Sequence, residues 1–359
     1  MIYNNLILNE KIWGQLQAMV CNNKLPHALL FHGTEGIGKE AHAIELAALL
    51  NNNDKKDQLP KIKTFQHPNI NLITPMPREK NIQKKSTAID CLSDKSLDSL
   101  IKMKKNKMEA PYANIKFDKA SNILINSIRD IKKNLHFNSS QGSVVYIIFE
   151  AEKLCFPKTE SGNALLKILE EPPLNTFFIL ITSNKEKMLD TILSRCCDFY
   201  FPKISNSEIK KYLKNYNYEY DLDLLIQISN GSLKEIMEII NSKTNVDELI
   251  EDVKKLIGNI MKNNDWQKNY KGLEKLFKTN KQTFKIFIKI LIFVLNDLEK
   301  IKNNNFDCLI LTDIKKVKTL DYDACINKIE ETYQNLYRNL NPSIGLLSML
   351  IEMKKILFI

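Results

Sequence analysis

The chain has 359 residues, 44% hydrophobic and 26% charged, which is ordinary for a globular protein and long enough for two or three domains with a large core. Lysine and arginine number 52 against 42 aspartates and glutamates, a net charge of +10 at pH 7. That balance suits contact with nucleic acid, and it equally suits a protein from a lysine- and asparagine-rich proteome. Seven cysteines, at 21, 91, 155, 196, 197, 308 and 325, include no C-x-x-C pair, which argues against a zinc site and a disulfide framework. The first residues, Met1 to Asn5, lack the basic-then-apolar order of a signal peptide. The most apolar window, residues 284–295, is interrupted by Lys285 and Lys289 and is too short for a bilayer. The expectation is a soluble, cytoplasmic protein without metal or membrane contact.

Residues 9–22 carry Ile12, Leu16, Met19 and Val20 at helical spacing, and Asn23-Lys24-Leu25-Pro26 ends that helix. A short apolar strand, His27 to His32, leads straight into Gly33-Thr34-Glu35-Gly36-Ile37-Gly38-Lys39-Glu40. That is G-x-x-x-x-G-K, in which the glycines let backbone N–H groups approach phosphate oxygens and the lysine reaches the terminal phosphates. The helix that follows, Ala41 to Leu50, puts its positive end at the same place. The residue after the lysine is ordinarily Ser or Thr, whose hydroxyl binds Mg²⁺; here it is Glu40. From 51 to 116 the chain turns polar, with residues 76–112 reading as a solvated, lysine-rich insertion.

Ile123–Leu135 predicts an amphipathic helix with Ile125, Ile128, Ile131 and Leu135 inward and Arg129, Lys132 and Lys133 outward. Residues 144–149 form an apolar run of strand length, rich in β-branched and aromatic residues, as in a buried parallel strand. The next helix ends at Glu170-Glu171, where Pro172-Pro173 removes the N–H groups that would continue it. A second buried strand, 176–182, closes in Ser183-Asn184, and a short helix runs into Ser194-Arg195-Cys196. Phe201-Pro202 ends this α/β part. Three short helices are expected at 207–214, 221–228 and 232–240, and longer ones at 247–262, 266–278, 281–302, 321–338 and 343–358.

The run N-A-L-L-K-I-L-E-E-P-P at Asn163–Pro173, F-F-I-L-I-T-S-N at 177–184, S-R-C at 194–196 and the phosphate loop occur in one order over residues 5–245. Together they resemble the ATPase-type domain of bacterial clamp-loader subunits, AAA+ proteins of the DNA polymerase III holoenzyme, and among these the delta-prime type. The resemblance implies an α/β AAA+ domain with a parallel sheet over 1–202, a small helical lid over 203–245 and an all-α collar over 246–359 that joins subunits in a ring. It also implies that the polar stretch 51–116 stands where relatives carry a four-cysteine zinc module. His67-Pro68-Asn69-Ile70 resembles the phrase that follows that module.

On the same resemblance, the nucleotide positions are Gly33, Gly36, Gly38, Lys39, Glu40, Glu150, Asn184 (sensor 1) and Lys234, which replaces the sensor-2 arginine. Where active relatives end the first strand in Asp-Glu-Ala-Asp, this chain has Phe149-Glu150-Ala151-Glu152, so the metal-holding aspartate is a phenylalanine. With Glu40, both metal positions are lost, and phosphoryl transfer loses its main electrostatic support. ATP or ADP sitting statically and an empty loop kept for its fold are both open. Arg195 is expected to act in trans on a neighbour's ATP. Arg129, Lys132 and Lys133 either face DNA backbone or form a plain solvated face, and the insertion lysines are further candidates for DNA contact. The implied role is a subunit that hydrolyses no ATP itself and helps load the sliding clamp on primed DNA with gamma/tau and delta partners. DNA synthesis belongs to the holoenzyme and not to this chain. The alternative is an ATP-hydrolysing gamma/tau-like motor.

Overall fold

In the computed structural model the described residues are 1–51, 58–81, 83, 86–117, 120–137, 142–214, 216, 221–262, 266–312, 314, 316–336 and 341–357. The apolar runs at 28–32, 144–148 and 176–182 are strands β1 (Ala28–His32), β3 (Val144–Ile148) and β4 (Thr176–Thr182). Two strands that the sequence did not announce join them: β2 (Ile70–Ile73) and β5 (Cys197–Tyr200). All pairings are parallel, in the order β2-β3-β4-β1-β5. β2 and β5 are the two edges. Each is only four residues long, and β5 is outwardly polar apart from Phe199, so neither carries the continuous apolar run that marks the central strands.

Because side chains alternate across a strand, each central strand feeds two cores. Leu29, Phe31, Val145, Ile147, Ile179 and Ile181 pack on one face against α1 (Glu10–Cys21) and α2 (Lys39–Asn51). Ala28, Leu30, Tyr146, Ile148, Phe178 and Leu180 pack on the other, among the buried residues of α5 (Ile125–Phe137) and α6 (Glu160–Glu170). Between these helices lie α3 (Gln58–Lys63) and α4 (Asp94–Glu109), and after them α7 (Asp190–Leu193) and α8 (Asn206–Leu213). This is the α/β P-loop sheet of the AAA+ class, with the phosphate loop leaving the C-terminal end of β1.

The stretch 76–112 differs from its reading as a solvated insertion. It holds α4, whose N-cap Ser93 accepts from Ser96 N, and Leu100 and Met103 reach the core beneath α2. Lys107, one turn further along the same face, is buried with them. Lys84, Lys85, Lys55 and Lys56 lie outside the described residues.

The backbone divides into two compact units, Met1–Tyr216 with Gly231–Glu235, and Asn217–Asn230 with Ile236–Ile359. The second unit is helical among its described residues: α9 (Leu222–Ile228), most of α10 (Leu233–Ser242), α11 (Val246–Met261), α12 (Trp266–Thr279), α13 (Lys281–Lys302), α14 (Tyr322–Leu336) and α15 (Pro342–Leu357). α13 is buried along most of its length and forms the axis of this unit's core. Its buried Asp297 carboxylate accepts from the N–H groups of Leu309, Ile310 and Leu311, which fixes the segment after the helix.

Candidate nucleotide site and arginine corner

Gly33, Gly36 and Gly38 all take positive φ values, 142°, 80° and 94°, a region open to glycine without strain. At two of them a side chain would also collide. A Cβ on Gly33 would lie 2.3 Å from the Phe201 carbonyl oxygen, and one on Gly36 would lie 2.0 Å from Ser232 Oγ. The loop is therefore tightly covered from outside. His42, at the start of α2, ties its inner side: Nδ1 bonds the Gly38 carbonyl at 2.9 Å and Nε2 accepts from Asn9 N at 3.1 Å. That arrangement needs a neutral ring protonated on Nδ1, and burial pushes the imidazole down to about 4.

Lys39, the phosphate-reaching lysine of the motif, is turned onto its own loop. Its Nζ donates to Gly33 O at 2.7 Å and Thr34 O at 2.5 Å, and to Ser183 Oγ at 3.1 Å. Burial lowers it to about 8, against the opposing pull of Glu40, Glu35 and Glu152. Glu40, at the position of the Mg²⁺-binding hydroxyl, accepts from Lys107 Nζ at 2.6 Å. Phe149 is 1% exposed, part of the core under α2, and offers no ligand to a metal. Glu150 follows in the left-handed region (φ 48°), with its carboxylate between Lys116 and Lys153, each at 3.1 Å. Burial lowers the Lys116 ammonium, but Glu35 and Glu150 outweigh it and hold it above the ordinary lysine value. Glu152 accepts from Thr182 Oγ1 at 2.6 Å and from Asn184 Nδ2 at 3.3 Å. Lys234 pairs with Glu35 at 2.6 Å, and its N–H reaches Gly36 O.

The sequence-predicted residues Gly36, Gly38, Lys39, Glu40, Glu150 and Asn184 thus line one cavity, with Gly33 and Lys234 bound to its wall. The cavity is about 90 Å³, well below the ~300 Å³ at which small-molecule sites begin. Four carboxylates (Glu35, Glu40, Glu150, Glu152) line it against three ammonium groups (Lys39, Lys107, Lys116), a poor field for a triphosphate. Among the described residues, no group of three or more His, Cys, Asp or Glu side chains is placed to hold a metal ion. Sequence reasoning missed Glu35, Lys107, Tyr112, Lys116 and Glu152. For Lys107 there was a signal: Leu100, Met103 and Lys107 share one helical face.

Arg195 is not among these residues. It follows the four-residue α7, where its Nη2 meets Glu170 Oε1 at 2.8 Å and its Nη1 donates to Thr191 O at 2.8 Å. Glu170 is the first glutamate of the N-A-L-L-K-I-L-E-E-P-P run, so the two recognised motifs meet in one ion pair. Both side chains remain accessible, Arg195 at 34% and Glu170 at 49%.

Residues 8–205 match the model of the family described as DNA polymerase III, delta subunit. The chain belongs to that family. Its relatives include the DNA polymerase III subunit gamma of Buchnera aphidicola subsp. Baizongia pistaciae, 28% identical over 319 residues, or 83% of this chain and 75% of that one. The subunit tau of Escherichia coli K12 is 34% identical over 133 residues, covering 35% of this chain and 20% of its own length. The subunit gamma/tau of Mycoplasma genitalium is 27% identical over 97% of this chain and 55% of that one. The chain therefore spans well under two thirds of several relatives that it matches. A crystal structure of a DNA polymerase III gamma subunit-related protein from Thermotoga maritima aligns with 95% of this chain and 99% of that one, at 15% identity and TM-score 0.45.

In this member of the delta-subunit family, the cations expected on α5 are accessible. Lys132 and Lys133 are exposed, the latter 3.7 Å from Asp130, and the half-buried Arg129 borders a cavity of about 260 Å³ with Arg78 and Lys158. Leu135 is one residue whose side chain lies outside the described set. Of the insertion lysines expected to reach DNA, Lys107 is turned inward, because its helix face is the apolar one. No described helix is long and apolar enough to cross a membrane.

Proposed function

We propose that this chain is a delta-prime-like subunit of the DNA polymerase III clamp loader, acting in the cytoplasm with gamma/tau and delta partners to place the sliding clamp on primed DNA. In this reading it hydrolyses no ATP and lends Arg195 to the nucleotide of a neighbour. The domains are then an AAA+ domain (1–202), a helical lid (203–245) and a collar (246–359). The observation that carries the reading is the fate of the two metal positions: Glu40 is bound to a lysine and Phe149 is sealed in the core. Without a cation, the β- and γ-phosphate oxygens lack the charge neutralisation on which phosphoryl transfer depends. Arg195, by contrast, keeps an accessible guanidinium whose planar fork suits phosphate oxygens. Arg129, Lys132 and Lys133 are proposed as sequence-independent backbone contacts, weakening with salt.

The test is ATP turnover by the reconstituted loader with clamp and primed DNA, comparing wild type with Arg195→Ala. The expected loss is on the order of 10³-fold, the range that arginine fingers supply in trans. Unchanged turnover would leave Arg195 a structural residue. A second reading, a gamma/tau-like motor, is favoured by the names of the relatives. Purified protein that hydrolyses ATP alone, and loses this with Lys39→Ala, would establish that reading and end the first.

A further inference from the structure

The residue that the mechanism leaves unused is Lys107. Its side chain is 2% exposed and its Nζ has three oxygen neighbours: Glu40 Oε2 at 2.6 Å, Pro111 O at 3.0 Å and Ala113 O at 2.7 Å. Three acceptors use three N–H donors, which only the charged ammonium has. Burial pulls the group downward, as desolvation always does for a cation, and Glu40 opposes this by charge and by hydrogen bond. An unpaired buried cation would not persist; one saturated by a carboxylate and two carbonyls does.

The acceptors around Lys107 are hard oxygens, two of them main-chain carbonyls held by the turn after α4. This is the ligand chemistry of a divalent-cation site, here filled by an amine. The turn also brings Tyr112 over the phosphate loop: its ring edge lies 3.2 Å from the Cβ position of Gly38, and its hydroxyl accepts from Ile7 N at 3.0 Å. Tyr112 is 4% exposed and stacks edge-on against Tyr212 at 5.5 Å. The C-terminal end of α4 and the turn after it therefore reach the two places where a nucleotide's metal and its phosphate loop would meet.

We propose that Lys107 is a built-in counter-cation: its ammonium stands in place of the divalent ion beside Glu40 and, with Tyr112, keeps the phosphate loop permanently closed by the chain itself, so that Mg-nucleotide does not displace it. The loop then works as a folding element that staples the 94–113 segment to α2, with no exchange of ligand. This rests on the reading of the loop as non-hydrolytic and adds what occupies it.

The decisive measurement is amine-reactive labelling of the native full chain, read lysine by lysine by mass spectrometry, with and without millimolar MgATP. Lys107 should react on the order of tenfold or more slowly than the exposed Lys102 and Lys105 of the same helix, since labelling requires local opening, and MgATP should not change its rate. Labelling as fast as Lys105, or acceleration by MgATP, overturns the proposal. Thermal denaturation gives the second arm. Lys107→Met should lower Tm by on the order of 10 °C, because it leaves the half-buried Glu40 carboxylate without its partner, and Glu40→Gln added to it should recover part of that loss. Lys107→Met behaving like a Lys105→Met control, or no recovery in the pair, overturns it as well. Protected Lys107 in a protein that still turns over ATP would remove both the non-hydrolytic reading and the permanent closure, whereas a reactive Lys107 in a protein that turns over none would remove the closure alone.

Discussion

The phosphate loop and the Arg195 corner carry the same types of charge and treat them in opposite ways. Around the loop, Lys39, Lys107, Lys116 and Lys234 are each closed onto oxygens of the same chain, and burial is deep enough to lower the Lys39 and Lys107 ammonium groups. At the corner, Arg195 has one partly exposed carboxylate partner and a main-chain carbonyl, at the end of a helix four residues long. The groups of the first motif satisfy each other, and the charge of the second is left half in solvent. In the function proposed above, the P-loop is the closed site and Arg195 is the one offered to a partner.

Beyond the thousandfold effect proposed for Arg195 in the assembled loader, the contrast can be broken on stability. Phe149→Ala, just after β3, should cost about 3–5 kcal/mol in chemical denaturation because the side chain is fully buried. A cost below about 1 kcal/mol would mean that this end of β3 is loosely packed and that the pocket can open.

A smaller effect comes from pH. His42 titrates near 4 when folded and near 6.5 when unfolded, so the unfolded chain takes up the proton first as pH falls. The stability that this group contributes is complete above pH 6.5 and lost as pH falls from 6.5 to 4. The loss is on the order of 3 kcal/mol. His42→Gln should flatten that part of the stability curve; an unchanged slope in the variant would assign the acid sensitivity elsewhere.

The smallest effect is expected at the corner itself. Arg195→Ala and Glu170→Ala should each change the stability of the isolated chain by less than about 1 kcal/mol, because both side chains are a third or more exposed and such pairs are screened. A large destabilisation from either variant would make Arg195 architecture too, and the comparison would collapse.

Much of this was legible in the chain. The central strands showed as unbroken apolar runs because both their faces are covered, and the helices of the second unit fall within two residues of their predicted bounds. β2 and β5 did not show, since an edge strand of four residues has too few positions to set a period. The 76–112 stretch misled for a related reason. Its lysines raised the average polarity, while the residues that pack α4, Leu100, Met103 and Met108, are diluted among them.

By itself the sequence determined the central strands and most of the helices, the glycines that bend the phosphate loop, the glutamate and phenylalanine at positions 40 and 149, and the family, because each is a property of neighbouring residues. Only the tertiary structure decided which charges face each other. Glu40 and Lys107 are 67 positions apart, and Glu170 and Arg195 are 25 apart. Whether such groups neutralise one another in a dry interior or stay accessible at a surface depends on burial, and burial is set by the packing of the whole domain.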